Sequence, residues 1–331
     1  MMEKIKAEKE KSFLDNWLET EFNEQYESQV EILQRLGLVN LLPDSEKMGI
    51  VGIDGKEYPV PSKEDIIREI KSNPEKYETK MKQGFTKIQL TPFALPLEEL
   101  TITFERCLRD HEKRKKLFWP RGSYEFEMGL RLDSEELLSV ASIWINGEAP
   151  EGKRGADVTS ECIYHATKCN GTNCFGGQTK VKILEEQHGL PFAGWEVKLL
   201  EKNLIIPGKG AGKVINGRKQ FEDLYSPMEY IQQLQRYLEY AHEQGLTIED
   251  WLWSFIHNLE ETKVLNISGG MNYFLIGSYN STYNEIGSFG RIIDEDDQAS
   301  FYIENASLDY GHVASGIITA VPLGPELKFE K

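Results

Sequence analysis

The sequence predicts an α+β protein, with a helical or α/β N-terminal module over residues 1–118 and a mixed α/β domain over 119–331. Three observations carry this. Apolar residues recur at three- and four-residue steps through the first segment, as on one face of a helix. Two further helical patterns follow after residue 226. From Val264 onward the pattern changes to short apolar runs broken by Gly, Asn and Ser, which is strand-and-loop texture.

In order along the chain, residues 4–36 read as helix, because Phe13, Trp17, Leu18, Phe22, Tyr26, Val30, Leu33 and Leu36 share one face, and Gly37 is a C-terminal stop. "GIVGIDGKEYPVP" (49–61) reads as a hairpin turned by Asp54-Gly55. Ser62 with Asp65 caps a helix reaching the 70s. "TKIQLTPFALP" (86–96) alternates as a strand does. Residues 97–118 form a helix whose basic end suits the helix dipole. The charge run 110–116 reads as a solvated helix end, with a basic patch as the competing reading. Residues 124–132, 137–147 and 195–207 are strand candidates. Helices are expected from Met228 to His242, behind Ser226-Pro227, and from Ile248 to Glu261, capped by Thr247 and Asp250.

The net charge of -16 opposes nucleic-acid binding, which needs basic side chains on phosphates, and opposes an anionic membrane surface. The start of the sequence lacks the apolar core of a signal peptide, and no apolar run is long enough to span a bilayer. These features read as a cytoplasmic protein, with an unrecognised export route as the alternative, no membrane insertion and an open oligomeric state. Four cysteines do not suggest a disulfide scaffold.

"CIYHATKCNGTNC" places Cys162, His165, Cys169 and Cys174 close together, three thiols and an imidazole, the donor set of a tetrahedral structural zinc. Reduced thiols in a loop are the competing reading. Cys107 reads as helix packing. "GKGAGKVINGRKQ" (208–220) is glycine-rich and basic, yet Lys213 is followed by Val214 rather than Ser or Thr, so it reads as a flexible loop rather than a phosphate cradle. "DEDD" (294–297) reads as a solvated acidic loop, or as oxygen ligands for a divalent cation. No esterase, zinc-protease or kinase signature is present.

From Gly277 to Ser315 there is no Lys, Met, Trp, Cys or Pro, while Tyr, Asn, Ser, Asp and Gly dominate. Adaptable binding surfaces share this bias, since Tyr supplies contact area at low entropic cost and Ser, Gly and Asn adapt their hydrogen bonds. A plain β-region with its aromatic residues in the core is the competing reading.

"GKGAGKVINGRKQFEDLYSPMEYIQQLQ", "EQGLTIEDWL", the closing "GIITAVPL" and the N-terminal "MGIVGIDGKEYPVPSKEDI" and "KQGFTKIQLTPFALPLEEL" resemble a protein family of ultrasmall, episymbiotic-type bacteria. The resemblance covers most of the chain outside the cysteine region. The tail resembles the variable region of diversity-generating retroelement target proteins. That resemblance implies a C-type-lectin-like fold, shared with formylglycine-generating enzymes, over 119–331, with a variable region over about 277–318. Ile318 and Pro322 stand where those proteins usually carry arginine. Adenine-directed variation cannot reach Lys, Glu, Gln, Met or Trp, so Glu285, Glu295, Gln298 and Glu304 would be fixed scaffold.

The resemblance implies a binding protein without chemistry, its partner a protein or another surface molecule. Phe274, Ile276, Phe301, Ile317 and Val321 would be framework. Tyr279, Asn280, Ser281, Tyr283, Asn284, Phe289, Arg291, Asp294, Tyr302, Asn305, Ser307, Asp309, Tyr310 and His312 would be the contact residues. The alternatives are a formylglycine-type or zinc enzyme, and an intracellular interaction protein with a structural Cys3His zinc. The formylglycine-type reading is opposed by the lack of any cysteine after Cys174.

Overall fold

Strands and helices alternate along the chain in an α+β arrangement. The computed structural model describes residues 12–114, 139–145, 162–166, 168–170, 173–202, 204–262, 272–281, 285–293, 298–309, 311 and 315–324.

The first helical pattern folds as two helices, α1 (Phe13–Thr20) and α2 (Phe22–Arg35). Ser12 opens α1 by accepting from the Asp15 amide at 3.1 Å. The Thr20 hydroxyl bonds back to the Asn16 carbonyl at 2.8 Å, a competing local bond that bends a helix, and the break follows at Glu21. The expected hairpin is present as β2 (Met48–Val51) and β3 (Glu57–Pro59), antiparallel, with β1 (Asn40–Leu41) added at its edge. Gly55 takes a positive φ of 76° in its turn, a conformation that favours glycine. Next come α3 (Lys63–Ser72) on its Ser62 cap, α4 (Pro74–Lys82), β4 (Phe85–Thr91) and α5 (Leu97–Lys113).

Of the strand candidates, 124–132 lies outside the described residues, and 137–147 contains β5 (Ser139–Ile145). The cysteine region forms three short strands, β6 (Cys162–Tyr164), β7 (Lys168–Asn170) and β8 (Asn173–Phe175). A helix absent from the sequence expectations, α6 (Lys180–Gln187), follows its Thr179 cap. β9 (Glu196–Glu201) fills the start of 195–207. The glycine-rich segment is a small hairpin of β10 (Val214–Ile215) and β11 (Arg218–Lys219). Its Gly212 amide donates to Glu222 at 2.9 Å, so a carboxylate of the chain itself takes a backbone donor that a phosphate would use. Helix α7 (Pro227–Arg236) has a full capping box at Ser226 and Glu229 but stops short of His242, because Tyr237 turns extended and a 3-10 turn follows.

After β12 (Gln244–Gly245), α8 (Ile248–Thr262) runs through the centre of the molecule, buried from Ile248 to Leu259. The tail supplies β13 (Asn272–Asn280), β14 (Glu285–Ile293), β15 (Gln298–Ser307), β16 (Ser315–Gly316) and β17 (Thr319–Pro322).

Two larger sheets result. One is antiparallel with the order β12-β17-β9-β4; the other is six-stranded, with the path β16-β13-β14-β15-β5 and β6 on β13. Residues 1–118, expected as a module of their own, thus place β4 beside β9 in the same sheet as the C-terminal β17. One apolar core runs from Leu14 through Trp251 to Leu323, joining both parts. Among the described residues no helix is long and apolar enough to cross a membrane.

Candidate binding surface and its charged support

β13 is covered on both faces, so alternate residues enter different cores. Tyr273 and Leu275 join the main core, while Phe274 and Ile276 join a second one with Ile286 and Ile317. The framework expectation holds where it is described, since Phe274, Ile276, Ile317 and Val321 are all buried. A bulge between Leu275 and Tyr279 shifts the register and turns the Tyr279 ring into the second core. Gly277 is needed beside it: a Cβ there would lie 2.6 Å from the Gly245 carbonyl, where the two backbones meet.

Beyond that packed zone the strand ends converge. Asn280 pairs with Glu285, and Glu285 pairs with Ser307, so the end of β13, the start of β14 and the end of β15 lie side by side. β6 adds Cys162 opposite Asn280. Asn280 is half-buried, and Ser281, Ser307 and Asp309 are exposed. The Ser307 hydroxyl donates to Asp309 at 2.5 Å. Four of the expected contact residues therefore share one end of the sheet.

The others divide. Tyr279 and Phe289 are core residues, a correction to their place on the contact surface. Phe289 is fully buried, stacked on Trp251 with 3.5 Å between ring centroids. A residue pointing inward from a covered strand has no access to a ligand. Arg291, Tyr302 and Asn305 lie within β14 and β15. Tyr283, Asn284, Asp294, Tyr310 and His312 lie outside the described residues, as does the acidic run 294–297.

Of the four expected metal ligands, Cys174, Cys162 and His165 have described side chains, and each has different surroundings. Cys174 is disulfide-bonded, and Cys169 faces it in the β7–β8 register. Cys162 is a buried free thiol, pushed up to about 12 by burial and then by the nearby Glu249 carboxylate. His165 Nε2 donates to Glu196 Oε1 at 2.8 Å. Among the described residues no group of three His, Cys, Asp or Glu side chains is arranged to hold a metal ion.

Between β9 and α8 lies a buried charged layer that sequence reasoning missed. Lys198 Nζ, 1% exposed, lies between Glu196 Oε2 at 2.8 Å and Asp250 Oδ2. Burial opposes ionisation of Glu196, yet the Lys198 charge and the His165 hydrogen bond hold its carboxyl well below the usual carboxylate range. For Asp250 the balance tips the other way: burial and the Glu196 charge push it up. Asp250 also serves the helix. It accepts from the Thr247 amide at 3.0 Å while Thr247 Oγ1 accepts from its own amide at 3.1 Å, which is the expected cap. Beside it Glu249 accepts from Tyr164 at 2.6 Å and pairs with Lys180 at 2.7 Å. The missed signal was legible: Glu196 and Lys198, two apart on a strand, share a face in an otherwise apolar run. Both groups are closed to solvent, so they support the sheet rather than meet a ligand.

An open groove of about 400 Å3 runs along α7, lined by Tyr225, Gln232, Gln233, Arg236, Tyr237 and Tyr240 among others. Helix α7 itself is tied to the end of β15 through Leu308, whose carbonyl accepts from the Met228 amide at 3.0 Å. Compared with protein-family models, curated proteins and solved structures, the chain shows no match.

Proposed function

We propose that the chain is a non-enzymatic binding protein whose contact surface is the end of the six-stranded sheet. The observation that carries this reading is the convergence of Asn280, Ser281, Ser307 and Asp309 where three adjacent strands end. Short polar side chains at strand ends can change with small stability cost, because they lie outside the packed zone. The framework behind them is fixed by two cores and a buried charged layer. The partner is a protein or another surface molecule, bound by aromatic and hydrogen-bonding contacts. On the resemblance to retroelement target proteins, this surface is diversified while its scaffold is constant.

Sequencing the gene from sibling cells, with its flanking DNA, tests the reading. The expected result is variation at scattered positions within 277–318, absent from Phe274, Ile276, Tyr279 and Phe289. A nearby near-copy differing mainly at adenines, beside a reverse transcriptase, would accompany it. Identity throughout this region, or changes spread evenly along the chain, would overturn the diversified surface.

A further inference from the structure

We propose that Lys198 and Asp250 condense to an intramolecular isopeptide bond that ties β9 to α8, with Glu196 relaying the proton. The three side chains are 1%, 0% and 9% exposed, in a site shut off from bulk water. Lys198 Nζ contacts Asp250 Oδ2 directly and lies 2.8 Å from Glu196 Oε2. Holding two reacting groups in contact removes the entropic barrier of bringing them together, which can replace a catalyst for a slow single-turnover reaction.

The atoms balance without any co-reactant. An ammonium and a carboxylate together hold the three hydrogens that an amide and a water need. Nζ passes one proton to Asp250 Oδ2, the freed lone pair attacks Asp250 Cγ, and the Cγ–Oδ2 bond breaks. Oδ2 leaves as water with a second proton that Glu196 Oε2 relays from Nζ, and the amide nitrogen keeps one hydrogen. Nothing is oxidised or reduced.

Each neighbour suits a step. Thr91 Oγ1 donates at 2.8 Å to Oδ1, the oxygen that carries negative charge in the tetrahedral intermediate and remains as the carbonyl. The Thr247 amide donates at 3.0 Å to Oδ2, the departing oxygen. Glu196 Oε2 stays in place to accept from the new amide N–H. Burial and the Glu196 charge push the Asp250 carboxyl up, which favours the acid form that loses water. Condensation also removes two buried charges, whose desolvation is otherwise costly.

The Lys180–Glu249 pair is equally buried, but it lies beside the Tyr164 hydroxyl rather than a second carboxylate. The Lys80–Glu243 pair is bound up with Arg218. A single bond is therefore expected.

Mass spectrometry of the full-length chain, reduced and denatured, reads the bond directly. The expected mass is short of the sequence mass by one water, with a branched proteolytic peptide joining the segments of Lys198 and Asp250. The full sequence mass, or a water missing from another place, overturns the proposal. Lys198→Arg should restore the full mass. Glu196→Gln should restore it in a chain that keeps the wild-type circular dichroism, and a Glu196→Gln chain still lacking the water removes Glu196 from the step. The peptide map of the wild-type chain decides the bond even if a variant does not fold.

Discussion

His257 shows how one side chain couples the core to pH. It is buried on α8 near Trp253, with Lys87 and Glu261 the charged groups acting on it. Burial, then the Lys87 charge, pushes its imidazole down to about 3. An unfolded histidine titrates near 6.5, so below that pH the unfolded chain binds a proton that the folded chain does not. Stability then falls as pH drops from about 6.5 toward 3, by up to about 1.4 kcal/mol per unit for this one group. Urea midpoints at pH 7 and pH 5 check it: the wild type should lose more stability than His257→Gln, and equal losses would remove His257 as a cause. Tyr279 and Phe289 carry the residue-scale lesson. Their composition fitted a binding surface, but facing direction depends on a bulge and on α8 lying across β14. Neither is written in the local pattern.

At the scale of elements, capping was legible and packing was not. Ser62, Thr247 and Ser226 each open a helix where the sequence places it, because a cap is a bond to a residue three positions on. Thr247→Ala should cost about 1–2 kcal/mol by loss of the cap alone. The cost should exceed that of Ser226→Ala, because Thr247 is fully buried and also donates to Glu196 at 3.3 Å. Equal costs, measured by urea unfolding of the two variants, would show that the charged layer adds nothing to the cap. Helix α6 and the short strands of the cysteine region escaped the sequence reading. Helix α6 has eight residues, and each of those strands has three, too few for a period to stand out.

The whole molecule is held by contacts between its ends. Trp253 Nε1 donates to Gln29 at 3.1 Å, and Gln29 accepts from the Leu90 amide at 2.8 Å, so α8, α2 and β4 meet at one amide. Arg218, fully buried, forms a fork to Glu243 with both contacts at 2.8 Å and reaches Glu201 at 2.9 Å. Lys80 joins the same Glu243 at 2.7 Å. Residues 119–331 expressed by themselves should therefore lack a cooperative thermal transition, having lost β4 and the helices over it. A sharp transition for that fragment would mean that the shared core is dispensable.

The sequence by itself determined the α+β class, the starts of the helices capped by Ser62, Ser226 and Thr247, the hairpin at 49–61 and the framework places of Phe274, Ile276, Ile317 and Val321. Each is set by near neighbours or by a repeat along the chain. Only the tertiary structure decided that β4 joins β9 and β17, that Lys198 lies between Glu196 and Asp250, and that Asn280, Ser281, Ser307 and Asp309 share one end of a sheet. Those outcomes rest on pairings between distant residues, where burial and charge neutralisation select one arrangement from many that the local patterns allow equally.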